Sequence, residues 1–127
     1  MITRILLIDD DPDEHEIFSL ALEEYDSKIT CVCANGCMET LFLNFLPDVI
    51  FLDMNMPHTN GLACLRKIKE TLRFKDVPVY MFSVAAYTDR EQEVFELGAL
   101  KWITKPKNIT EYIRLFEELF VSNLHAD

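Results

Sequence analysis

Three stretches of this chain, Ile5 to Ile8, Val49 to Leu52 and Val79 to Phe82, are apolar at every position and only four residues long. A strand with one wet face alternates polar and apolar side chains, whereas a strand covered on both faces does not. Short unbroken runs bounded by polar or turn residues therefore predict central strands of a parallel sheet. They also fall far below the roughly 20 residues needed to span a bilayer. With two further apolar runs, strands are expected at residues 4–8, 28–33, 48–52, 78–83 and 100–104.

The intervening segments carry helical spacing. Asp11 is placed to cap a helix with Pro12 at its first position and Glu14 completing a capping box, followed by Ile17, Leu20, Ala21 and Glu24. Leu62, Leu65, Ile68 and Leu72 form a stripe after Gly61, and Thr88 with Glu91 opens a helix that Gly98 should end. Residues 37–45 and 109–121 supply two more helices. Strands alternating with helices predict an α/β fold, because parallel neighbours need right-handed helical crossovers that leave helices on both faces of the sheet.

No repeat, low-complexity stretch or Gly/Ser/Pro-rich linker divides the chain, so residues 1–127 are expected to form one domain with no output domain beyond residue 121. Acids outnumber bases 22 to 12, for a net charge of −10, which argues against direct nucleic-acid binding. The N-terminus carries only Arg4 before an apolar run that ends in aspartates, which is not a secretory layout, so a cytoplasmic location with no membrane contact is expected. Cys31, Cys33, Cys37 and Cys64 lack the paired spacing of a structural zinc site and are expected to be buried, reduced thiols.

In an open parallel sheet, ligands collect beyond the carboxyl ends of the strands. Those ends carry Asp9-Asp10-Asp11, Asp53, Ser83 and Lys105-Pro106. Converging carboxylates repel: a pair at ~5 Å in an effective dielectric of ~20 costs roughly 3 kcal/mol. A bound cation relieves this, and hard oxygen donors without suitably placed histidine or thiolate point to Mg²⁺, with Asp10 and Asp53 each supplying an oxygen. An Asp53 carboxyl near its ordinary pKa is ionised at neutral pH and needs no base to act as a nucleophile. Lys105 would add positive charge, and Ser83 a hydroxyl donor.

With these residues assembled, the chain resembles the receiver domain of two-component response regulators over essentially its whole length. The matching pieces are Leu6-Leu7-Ile8-Asp9-Asp10-Asp11, then Asp53-Met54-Asn55-Met56-Pro57 with Gly61 after it, then Ser83, and then Lys105-Pro106. The resemblance implies a flavodoxin-like doubly wound sheet in the order 2-1-3-4-5 with five helices. It also implies that Asp53 accepts a phosphoryl group from a phosphohistidine on a sensor histidine kinase or phosphotransfer protein. Asp9, Asp10, Asp53 and the main-chain carbonyl of Asn55 would hold Mg²⁺, while Ser83 and Lys105 would hold the phosphoryl oxygens. Ser83 and an aromatic on strand five, here Trp102, would then move and remodel the surface of helix four, strand five and helix five for an unknown downstream protein.

Two positions depart from that pattern. Val84 follows Ser83 where the family usually has a very small residue, and it is expected to crowd the mouth of the site. Trp102 replaces the usual Tyr or Phe and needs more room to turn inward. The final helix is apolar over more than one face, through Ile109, Tyr112, Ile113, Leu115, Phe116, Leu119, Phe120 and Val121, so a homodimer or partner surface stands beside simple packing as its explanation.

The reading is thus a stand-alone phosphorylation switch rather than a turnover enzyme. One alternative is a receiver-like binding module that is not phosphorylated. Another is a small phosphohydrolase of the haloacid-dehalogenase kind, whose Asp-x-Asp spacing Asp9 and Asp11 match, although only Glu111 follows Lys105 closely where such enzymes carry an acidic metal motif.

Overall fold

A computed structural model of the chain describes residues 2–56, 60–84 and 91–120. Five parallel strands, β1 (Arg4–Ile8), β2 (Thr30–Ala34), β3 (Val49–Asp53), β4 (Val79–Ser83) and β5 (Lys101–Thr104), pair in the order β2-β1-β3-β4-β5. Helices α1 (Pro12–Tyr25), α2 (Cys37–Phe42), α3 (Gly61–Glu70), α4 (Glu91–Glu96) and α5 (Ile109–Leu119) fill the crossovers. This is the flavodoxin-like arrangement expected from the resemblance.

Burial follows the apolar runs. β3 and β4 are buried at every residue and β1 at all but Arg4, whereas the outer strands β2 and β5 are only partly covered. Leu6, Ile8, Ile50, Leu52 and Met81 face α2, α3 and α4. Leu7, Phe51, Tyr80 and Phe82 point the other way, into a cluster with Phe18 of α1 and Tyr112, Phe116 and Phe120 of the α5 segment. That second layer is bound largely by edge-to-face ring contacts, such as Phe18–Phe51 at 5.1 Å and Phe18–Phe116 at 5.2 Å.

Several local expectations are corrected. The 37–45 helix stops at Phe42, because Leu43 is extended and its N–H turns back to Thr40. α3 stops at Glu70, leaving Leu72 81% exposed rather than on the buried stripe. Leu20 is also outward-facing. Cys37 and Cys64 are buried, but Cys31 and Cys33 are half-buried because β2 is an edge strand; all four thiols are free.

Helix ends are set by identifiable residues. Asn60 caps α3 through Ala63 N–H, and Asn108 caps α5 through Glu111 N–H. Gly98 adopts φ +107° after α4, with Ala99 N–H bonded to Val94 and Gly98 N–H to Phe95, a Schellman closure that a side chain would strain. The expected cap Thr88 lies outside the described residues, as does Val121. The α5 face is mostly consumed by packing: Tyr112, Phe116 and Phe120 are buried, and Ile113, Leu115 and Leu119 lie partly covered against the same cluster.

Candidate phosphoacceptor and metal site

The carboxyl ends of β1 and β3 bring Asp9, Asp10 and Asp53 together, each offering an oxygen within 4.8 Å of the others. Asp9 is fully buried and Asp53 nearly so. Neither is held by chance: Asp9 accepts from Asp11 N–H at 3.0 Å, and Asp53 from Asn55 N–H at 3.2 Å. Behind Asp53, Gly61 donates its N–H to Met54 at 2.9 Å, and a Cβ at Gly61 would lie 2.7 Å from Met54 Cα and 2.9 Å from the Asp53 carbonyl oxygen. Only glycine lets α3 begin this close to the end of β3.

Lys105 follows β5, its N–H bonded to the Ser83 carbonyl at 2.7 Å. Its ammonium reaches Asp9 at 2.9 Å, Asp53 at 3.3 Å and Glu14 at 3.9 Å. Ser83 is fully buried at the end of β4, and Val84 beside it is 75% exposed at the rim. Trp102 is half-buried against the core layer shared with α2, α3 and α4. Asn55 is exposed next to Asp53. Every expected site residue except Trp102 therefore stands at one end of the sheet.

Glu14 is the residue that sequence reasoning placed wrongly. Asp11 does cap α1, through Asp13 N–H at 3.0 Å, but Glu14 completes no capping box. Its carboxylate instead accepts from the Tyr112 hydroxyl of α5 and faces Lys105. No signal in the sequence alone marked this pairing, because Glu14 stands at the capping-box spacing from Asp11 and its partners come from distant elements. His15 Nε2 likewise lies 2.5 Å from the Asp9 carbonyl oxygen.

The electrostatics depart from the ordinary carboxyl value expected for Asp53. Burial raises its pKa first and Asp9 second, against the lowering effect of Lys105 and of the Asn55 N–H. Glu14 is raised by burial as well. Burial pulls Lys105 down, but its hydrogen bond to Asp9 and the charges of Asp9, Asp53 and Glu14 outweigh that, and the ammonium is held above its usual value. Three clustered carboxylates against one ammonium leave the pocket negative, with oxygen donors only. That donor set suits a hard divalent cation such as Mg²⁺.

Comparison with known proteins agrees with the geometry. Residues 5–117 match the model of the response regulator receiver domain. The DNA-binding dual master transcriptional regulator RpaA of Synechocystis is 30% identical, over 87% of this chain and 46% of its own length, so the chain spans less than half of that relative. The phosphorylated cyanobacterial phytochrome response regulator RcpA superposes with a TM-score of 0.82 at 24% identity, covering 97% of this chain and 96% of its own. Chemotaxis response regulator CheY4 of Vibrio cholerae gives 0.78 at 23% identity, over 94% and 99%. The match spans most of the chain, and the chain belongs to the response regulator receiver domain family, whose members act as signalling switches.

Proposed function

We propose that this chain, read as one receiver domain over residues 1–127, is a cytoplasmic switch that takes a phosphoryl group on Asp53 from a phosphohistidine of a sensor kinase or phosphotransfer protein. The observation that carries the reading is the buried Asp53 carboxylate set among Asp9 and Asp10 and reached by the Lys105 ammonium. Among the described residues no helix is long and apolar enough to cross a membrane, which is consistent with that location.

In the proposed step an Asp53 carboxylate oxygen forms a bond to phosphorus while the phosphorus–nitrogen bond of the donor breaks, and the imidazole leaves with the electron pair. Transfer of this kind demands placement and charge neutralisation more than covalent help from the protein. Asp9, Asp10, Asp53 and the Asn55 carbonyl would hold Mg²⁺, which supplies positive charge beside the transferring oxygens when bound. The Asn55 N–H fixes the acceptor carboxylate, Lys105 remains close enough to pair with a phosphoryl oxygen, and Ser83, buried at the end of β4, would donate its hydroxyl to another. Loss of the group to water would reset the domain.

The output would pass through Ser83 and Trp102 to the α4–β5–α5 surface and a downstream protein, with a homodimer as one form of that contact. Val84 at the rim would slow access of donor or water, so Val84→Ala is expected to raise both phosphorylation and hydrolysis rates.

The deciding measurement is the intact mass after incubation with acetyl phosphate, with and without Mg²⁺, for the wild type and Asp53→Asn. One Mg²⁺-dependent phosphoryl adduct, missing in the variant, is the expected result. A folded protein that gains no adduct under any condition would instead be the unphosphorylated binding module.

A further inference from the structure

At the opposite end of the sheet from Asp53, the loops entering β3 and β4 and the start of β1 form a surface the phosphorylation reading does not use. Phe42 is 82% exposed, Leu72 81% and Leu46 52%. The segments bearing them are tied together by two arginines. Arg73 donates to the Leu41 carbonyl at 3.4 Å with its guanidinium over the Phe74 ring at 4.5 Å. Arg4 donates to the Leu46 carbonyl at 3.0 Å with its guanidinium over Phe45 at 4.5 Å.

Both guanidiniums are thus held in place by carbonyls and rings, yet neither pairs with a carboxylate among the described residues, where every ion pair belongs to Lys105. In a chain with 22 acids this is notable, since even neighbouring Asp48 is directed to main-chain N–H groups of Thr3 and Arg4 instead. Positioned arginines beside exposed aromatic and aliphatic side chains have the composition of an interface centre, and a planar guanidinium fixed on a ring keeps donors for a carboxylate.

We propose that this surface docks a segment of another protein in which carboxylate side chains flank one or two apolar anchors. The carboxylates would pair with Arg4 and Arg73 while the anchors cover Phe42, Leu46 and Leu72. A second copy of the chain fits less well: its acidic α1 would have to meet this face head to tail, which is not the self-complementary contact of a two-fold dimer. An anionic bilayer fits less well too, because a domain of net charge −10 is repelled from it as a whole.

The test is selection of a random peptide library displayed on phage against the full chain, with selected peptides then mapped by backbone amide shifts. Expected are Asp- or Glu-containing peptides with Leu or Phe that perturb residues near 41–46 and 72–75. Arg73→Gln should weaken them about tenfold, the equivalent of one charge-assisted hydrogen bond, and Phe42→Ser should weaken them as well, while Asp53 still forms its adduct. Selected peptides without acids, binding elsewhere, or indifference to both variants would overturn the proposal. So would loss in these variants of concentration-dependent self-association, which would assign the face to a second copy, or of sedimentation with phosphatidylserine vesicles, which would assign it to a membrane.

Discussion

The carboxyl of Asp53 sits above its ordinary value of 3.8, chiefly through burial and then through Asp9. A carboxyl whose folded pKa exceeds its unfolded one contributes stability at low pH and loses it as pH rises through the folded value. Without metal, the melting temperature is therefore expected to fall as pH rises above the ordinary carboxyl value, and less steeply in Asp53→Asn. Mg²⁺ at neutral pH should recover the wild type and leave the variant nearly unchanged; parallel thermal melts read all four conditions. Lys105→Met acts in the other direction. It leaves Asp9 and Asp53 buried without their cation, a loss of roughly 1–3 kcal/mol in urea unfolding without metal, and one that Mg²⁺ should shrink. At this scale the aspartates, Ser83 and Lys105 were legible because each ends a strand. Glu14 was not, because in sequence it fits a capping box equally well, and only the approach of Tyr112 and Lys105 from α5 and β5 decides which partner it takes.

Among the elements, β3 and α3 meet at a close approach. A side chain at Gly61 meets backbone atoms of Asp53 and Met54, which cannot swing away as a flexible side chain would. Gly61→Ala is expected to cost about 1–3 kcal/mol by overpacking. Because the displaced atoms carry the acceptor, it should also slow adduct formation at Asp53 in the acetyl phosphate assay. The first turn of α3 was legible through Gly61 and the Leu62, Leu65, Ile68 spacing. Its end was not: Leu72 continues the apolar period, but Thr71 turns extended, and a local pattern cannot report where tertiary packing stops a helix. The α5 pattern had the same ambiguity. Its broad apolar surface is explained by packing on both the sheet and the neighbouring α1, where Phe116 touches Phe18, Tyr25 and Phe51. Phe116→Ala is accordingly expected to destabilise by about 3–5 kcal/mol in denaturant titration.

Across the whole molecule, the two ends of the sheet carry different chemistry: carboxylates and one lysine at one end, arginines and exposed apolar groups at the other. Sequence reading found the first because its residues fall at strand ends in a familiar order. The second arises from side chains that look like loop punctuation until Arg4 and Arg73 are seen lying on Phe45 and Phe74. Between the ends, Trp102 offers a direct report on switching. Its fluorescence is expected to change when Asp53 is phosphorylated and to stay constant in Asp53→Asn under the same treatment.

The strand order has a further consequence for how the chain comes into being. β1 is synthesised before both of its neighbours, β2 and β3, and cannot complete its hydrogen bonding until β3 has emerged from the ribosome. Phe18 of α1 waits longer still, for Tyr112 and Phe116. Until then the nascent domain must therefore carry an apolar strand and an uncovered aromatic side chain, so its vulnerable period is set by topology and ends only when α5 is released.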